Sequence, residues 1–290
     1  MRGMTDRSIK ATHAAYRDDI SDLITRRPVP NRGLDQVDPF LFLNHHGPQL
    51  YKAGNNGLPF GPHPHRGFET VTFILEGSLA HMDTGGHESV IHAGGVQWMT
   101  AGSGLVHAEL SPPEFKRAGG DMEILQLWVN LPPELKMTTP RYTGLQAPDI
   151  PAIAADGGAT LHLVSGEFDG QTGPVDSLTG VMMSMVDLPA GTSVTLPAPK
   201  GRNVFFYVVR GAVDIGAVAL EKFELTEFKD DGDRIKVSAP QGGFLLYGHA
   251  DPIGAPVVAR GPFVMNTEAE IREAIQDYQA GKFNREPVNT

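Results

Sequence analysis

Apolar and polar residues alternate along much of this chain with a period of two, the pattern of strands that bury one face. Over 69–76, Val71, Phe73 and Leu75 fall on one face and Thr70, Thr72 and Ile74 on the other, and Gly77 ends the run. A second strand is expected over 122–131, stopping at Pro132-Pro133, where the missing N–H breaks the ladder. Short strands between Gly/Pro turns are expected from about 33 to 132. Strand-like runs resume at 160–164, 181–188, 204–209, 213–220, 235–237 and 244–248. The period changes only near the end. Thr267 and Glu270 have capping-box spacing, Ile271, Ala274, Ile275 and Tyr278 form one apolar stripe, and Gly281 can supply a left-handed stop. A helix with such a stripe is expected to pack on a β domain.

At 290 residues the chain exceeds the usual size of one domain. The pattern divides it into 1–135, a linker at 136–159 carrying Pro140, Pro148 and Pro151, and 160–290. The 34 glycines and 23 prolines are scattered rather than periodic, which fits many turns and excludes collagen. A net charge of −10 without a dense Lys/Arg cluster argues against direct nucleic-acid binding; Arg26, Arg27 and Arg32 read as a solvated edge. With no cysteine, disulfides, thiolate zinc and iron–sulfur clusters are excluded. No apolar run is long enough to span a membrane, and residues 1–12 lack the apolar stretch of a secretory signal, so a cytoplasmic location is expected.

Two short motifs carry chemistry. His63-Pro64-His65 places two imidazoles at i and i+2, on one face of an extended chain, and His107-Ala108-Glu109 does the same with an imidazole and a carboxylate. Two such pairs on separate strands can converge on one ion. Three imidazoles and a carboxylate suit Fe(II), Mn(II), Ni(II), Cu(II) or Zn(II) better than Ca(II) or Mg(II), and leave coordination positions open.

Longer segments then become recognisable. DPFLFLNHHGP from Asp38 to Pro48, PHPHRGFETVT from Pro62 to Thr72, MTAGSGLVHAE from Met99 to Glu109 and LQLWVNLP from Leu125 to Pro132 resemble segments of the pirin family, within the cupin superfamily. GPFVMNT from Gly261 to Thr267 resembles its C-terminal signature. The resemblance implies an all-β bicupin, two face-to-face antiparallel jelly-roll barrels with a C-terminal α-helix. It implies metal in the N-terminal barrel alone, iron(II) first, held by His63, His65, His107 and Glu109. Glu69 is the rival carboxylate, because many cupins place theirs after the first His-x-His; an ion pair with Arg66 is its other expected role. The chain departs from the pattern at Asn44, where aspartate is expected, at His45-His46, and at Gly102, where cupins carry proline. His81, His87 and His92 read as structural, and His162 and His249 as surface or turn residues. Phe60, Phe73, Trp98 and Met99 fit either an apolar entrance or the core.

Three functional readings follow. The resemblance implies a quercetin (flavonol) 2,3-dioxygenase taking a small aromatic substrate and dioxygen, with Glu109 as catalytic base. The competing reading is a non-enzymatic, metal- or redox-dependent regulator that binds a transcription factor or metabolic enzyme, for which an acidic surface suits a basic partner. A cupin isomerase or sugar-binding role is the third. A monomer is expected in each case.

Overall fold

The structure, a computed structural model, describes residues 4–284. It is mostly β, with α-helices only at Pro113–Ala118 and Glu268–Gln279 among the described residues. The chain divides into two compact units that interleave in sequence. One combines the segment up to Tyr16 with Arg27–Phe40 and Pro148–Pro252; the other combines Arg17–Arg26, Leu41–Ala147 and the chain from Ile253 on.

The second unit, which carries both metal-type motifs, is built on two sheets. A four-stranded sheet runs in the order Phe60–His65, Leu105–Leu110, Ser78–Asp83, Glu88–His92. A seven-stranded sheet runs through Arg141–Leu145, Val96–Thr100, Phe68–Glu76, Gly120–Asn130 and Phe40–Tyr51, then two short N-terminal strands. Ile74 and Ile124 from the larger sheet and Leu79 and Ile91 from the smaller share one buried apolar cluster, which is what holds sheet against sheet. In the other unit a ten-stranded sheet surrounds a separate cluster rich in Val, Leu and Ile, including Leu161, Val186, Phe206 and Leu245.

Several expectations are refined. The two closed barrels are replaced, among the described residues, by open sheets: no strand order returns on itself. The expected linker is structured, because its prolines flank short strands instead of interrupting them. Arg141–Leu145 pairs with Val96–Thr100, and Ala152–Ala154 pairs with Thr160–Ser165. The contact boundary falls inside that segment, between Ala147 and Pro148, while the first strand, Ile9–Ala14, pairs far along the chain with Glu224–Phe228. The two strands expected at 204–209 and 213–220 are one long strand, Asn203–Ile215, and a hairpin return, Val218–Glu221, turning at Gly216 with φ 60°. His249 is a strand residue and is buried, not at a surface or turn.

The terminal helix follows its sequence signals closely. Thr267 Oγ1 accepts from the Glu270 N–H at 3.2 Å, and the Glu270 carboxylate accepts from Thr267 Oγ1 at 2.9 Å. At the other end Gly281 adopts φ 74°, its N–H donating to Tyr278 O and that of Lys282 to Asp277 O, both at 3.0 Å. That is a complete Schellman motif. Only Ile271 and Ala274 of the stripe are buried; Ile275 and Tyr278 are exposed. No helix among the described residues is long and apolar enough to cross a membrane.

Candidate metal centre

His63 and His107 are direct partners across the antiparallel pair formed by Phe60–His65 and Leu105–Leu110, with Leu105 opposite His65. The register slips between His107 and Glu109, where Glu109 meets Phe60, so that Gly61 and the exposed Pro62 form a bulge. This bulge brings the Gly61 carbonyl to His63 Nδ1 at 2.7 Å. His65 Nδ1 lies 3.2 Å from the Pro262 carbonyl. A carbonyl only accepts, so both rings carry their proton on Nδ1 and keep the Nε2 lone pair free, the tautomer a metal-binding imidazole needs.

The three imidazoles His63, His65 and His107 offer ligand atoms that all lie within 4.8 Å of one another. Their ring centroids are 4.3 Å (63 to 107), 4.8 Å (63 to 65) and 5.0 Å (65 to 107) apart. His65 and His107 are buried. Burial, reinforced by the neighbouring His63, pushes the pKa of His65 down to about 3, and the same causes hold His107 well below the usual histidine range. His65 and His107 are therefore neutral at physiological pH, as ligands must be. Neither nitrogen of buried His107 has a hydrogen-bond partner among the described residues. An imidazole left with both a donor and an acceptor unsatisfied in the interior is costly unless something occupies it.

Glu109 stands two residues along the same strand and is buried, but its carboxylate is outside the group of three. It accepts from Thr72 Oγ1 at 3.0 Å, from Gln126 Nε2 at 2.5 Å and from Gln97 Nε2. These donors come from adjacent strands of the larger sheet and mark its inward face. By strand alternation Glu69 lies on the opposite face from Thr72, with Val71 and Phe73. There it accepts from Thr100 Oγ1 at 2.7 Å, and Arg66 pairs instead with Asp277 at 2.9 Å. The rival carboxylate thus points away from the histidines, and its expected ion pair is not formed.

The remaining sequence candidates divide cleanly. Phe73, Trp98 and Met99 are core residues and Phe60 is half-buried. His81 and His87 both bind Asp83, at 3.0 and 3.1 Å, and His92 is exposed. His45 is bound to Glu123 and His46 to Thr25, each at 2.9 Å, so neither joins the three imidazoles. Missed by the sequence reading were the three donors to Glu109, the Pro262 carbonyl and Trp128. The Trp128 ring lies 5.5 Å from His65 and between Phe42 at 4.6 Å and Phe68 at 4.5 Å, with its indole N–H unpartnered. Polar residues at inward-facing positions of alternating strands were the signal for Thr72, Gln97 and Gln126; nothing local marks Pro262.

Known proteins resemble this chain along most of its length. The family model described as Pirin matches residues 22–129, and that described as Pirin C-terminal cupin domain matches 183–284. A pirin-like protein of Caulobacter vibrioides is 40% identical over 248 residues, covering 85% of this chain and 87% of its own. The pirin of Homo sapiens is 38% identical over 271 residues, covering 91% and 89%. A crystal structure of quercetin 2,3-dioxygenase from Acinetobacter baumannii superimposes with a TM-score of 0.90 at 33% identity, covering 96% of this chain and 99% of that one.

Proposed function

Because this chain belongs to the pirin family, we propose that it is a metal-dependent dioxygenase cleaving flavonols such as quercetin, with one divalent transition ion held by His63, His65, His107 and Glu109. The observation that carries the reading is the trio of clustered imidazoles, two of them buried: His63 and His65 have Nδ1–H tied to carbonyls, and His107 has both nitrogens unpartnered among the described residues. That donor set fits iron(II), our first assignment, and also Mn, Ni, Cu or Zn. When bound, such an ion supplies Lewis acidity that lowers the pKa of a hydroxyl beside it.

The chain's own residues would do the rest. Three donors occupy three of the four lone-pair positions of the Glu109 carboxylate, which leaves one for a ligand contact or for a substrate proton. Glu109 is thus the group we assign to accept the flavonol hydroxyl proton at that one position, when it is turned from the ion to the substrate. Phe42, Trp128 and Phe68 form an aromatic stack beside His65 that suits a planar ring system. The Trp128 N–H is available to orient a substrate carbonyl. The likeness to the Acinetobacter baumannii enzyme supports quercetin as the first substrate to try.

Iron-loaded protein mixed aerobically with quercetin should bleach the flavonol absorption band. Unchanged absorbance under turnover conditions would rule out this substrate. His63→Ala and His107→Ala should each lose the metal by elemental analysis, and a full equivalent retained in either would refute the ligand assignment.

A further inference from the structure

Lys136 is almost wholly buried, at 1% exposure, yet forms no hydrogen bond or ion pair with a carboxylate among the described residues. Its ammonium donates instead to three neutral oxygens, Gly67 O at 2.8 Å, Asn130 Oδ1 at 2.8 Å and Val264 O at 3.0 Å. Burial pushes its pKa down to about 8, which still leaves it protonated at neutral pH. An ammonium has three donors, so this site satisfies it completely. An apolar side chain of the same length would leave those acceptors without their donor.

The three oxygens belong to segments that meet beside His65. Residues 65–67 lie along 262–264: Arg66 N–H donates to Pro262 O at 3.4 Å, Val264 N–H to Arg66 O at 3.1 Å, and His65 Nδ1–H to Pro262 O at 3.2 Å. The approach is so close that a Cβ on Gly67 would sit 2.0 Å from Val264 O. Arg66 then reaches Asp277 of the terminal helix and packs 4.7 Å over the Phe283 ring.

From these contacts we propose that Lys136 is a positioning residue of the metal centre: by tying Gly67 O to Val264 O, it fixes the Pro262 carbonyl that sets the tautomer and orientation of His65. Lys136 touches neither metal nor substrate. Its effect passes through the backbone on both sides of the His65–Pro262 hydrogen bond. The proposal rests on the metal reading of the three histidines.

Cobalt(II) titration of the full chain, with a competing chelator and the visible d–d spectrum as readouts, tests it. Lys136→Met should keep its folded circular dichroism, bind cobalt at least about ten-fold more weakly and show an altered d–d band, the scale seen when a ligand's outer partner is lost. Lys136→Gln, which keeps some of the donors, should fall between, about five-fold weaker; it serves as the test if the Met variant does not fold. A folded variant with wild-type affinity and spectrum overturns the role of Lys136. Wild-type protein that takes up no cobalt overturns the metal reading itself, and this role with it.

Discussion

Replacing Glu69 by glutamine separates a structural carboxylate from a metal-binding one. Glu69 is buried, keeps one hydrogen bond from Thr100 at 2.7 Å, and has its second oxygen unpartnered. Burial raises its pKa from 4.5 to about 6, against the opposing pull of Thr100, Trp98 and Arg141. A carboxyl whose folded pKa lies above its unfolded value stabilises the fold fully below the unfolded value, and that stability is lost as pH rises through the folded one. The difference between about 6 and 4.5 corresponds to about 2 kcal/mol, lost between roughly pH 4.5 and pH 7. Glutamine does not titrate, and its new N–H₂ adds a constant term. The quantity to measure is therefore the wild-type minus Glu69→Gln difference in unfolding free energy, by urea denaturation of metal-free protein at several pH values. It should move by about 1.6 kcal/mol in favour of wild type on going from pH 7 to pH 4.5, and approach about 2 kcal/mol only well below pH 4.5. A difference that stays flat across that range would refute the burial argument. Loss of bound metal in the variant would refute the orientation assigned to Glu69.

Gly67→Ala should destabilise by about 3 kcal/mol, since φ is 89° and the new Cβ meets Val264 O. Gly54→Ala, at φ 76° with open space around it, should cost only about 1 kcal/mol; denaturation midpoints check both. Gln97→Met removes a donor to Glu109, so flavonol turnover should fall at least about ten-fold while metal content stays near wild type. Full turnover in that variant would show that Glu109 needs no such support. Saturating metal at about a hundred times its Kd should raise stability by about 2.7 kcal/mol over chelator-treated protein, read as a shift in thermal midpoint. No shift would count against a folded-state metal site.

The fold was legible wherever alternation or capping decided the local structure. The strand observed at Phe68–Glu76 and the helix at Glu268–Gln279 each lie within a residue or so of their sequence signals. The i, i+2 histidine pairs likewise announced three converging imidazoles. The family resemblance favoured Glu109 over Glu69, but alternation alone could not choose, because the choice depends on which face of the strand at Phe68–Glu76 turns inward, a property of sheet packing. Nor could it find Lys136 or Pro262. A lysine, with its charged head, reads as surface, and a backbone carbonyl has no side-chain signature. Prolines at 140, 148 and 151 resembled a linker because pairing partners for such short strands lie elsewhere in the chain.

The hydrogen bond between His65 and Pro262 spans 197 positions of chain. During synthesis the two neighbouring imidazoles, His63 and His107, emerge long before the carbonyl that orients His65 has been made. Any ion captured early would meet an incompletely ordered ligand set, and the finished geometry can be reached only after the second unit has been translated. If the three histidines hold an ion as proposed, a nascent chain stalled before Pro262 should hold it loosely and exchange it freely.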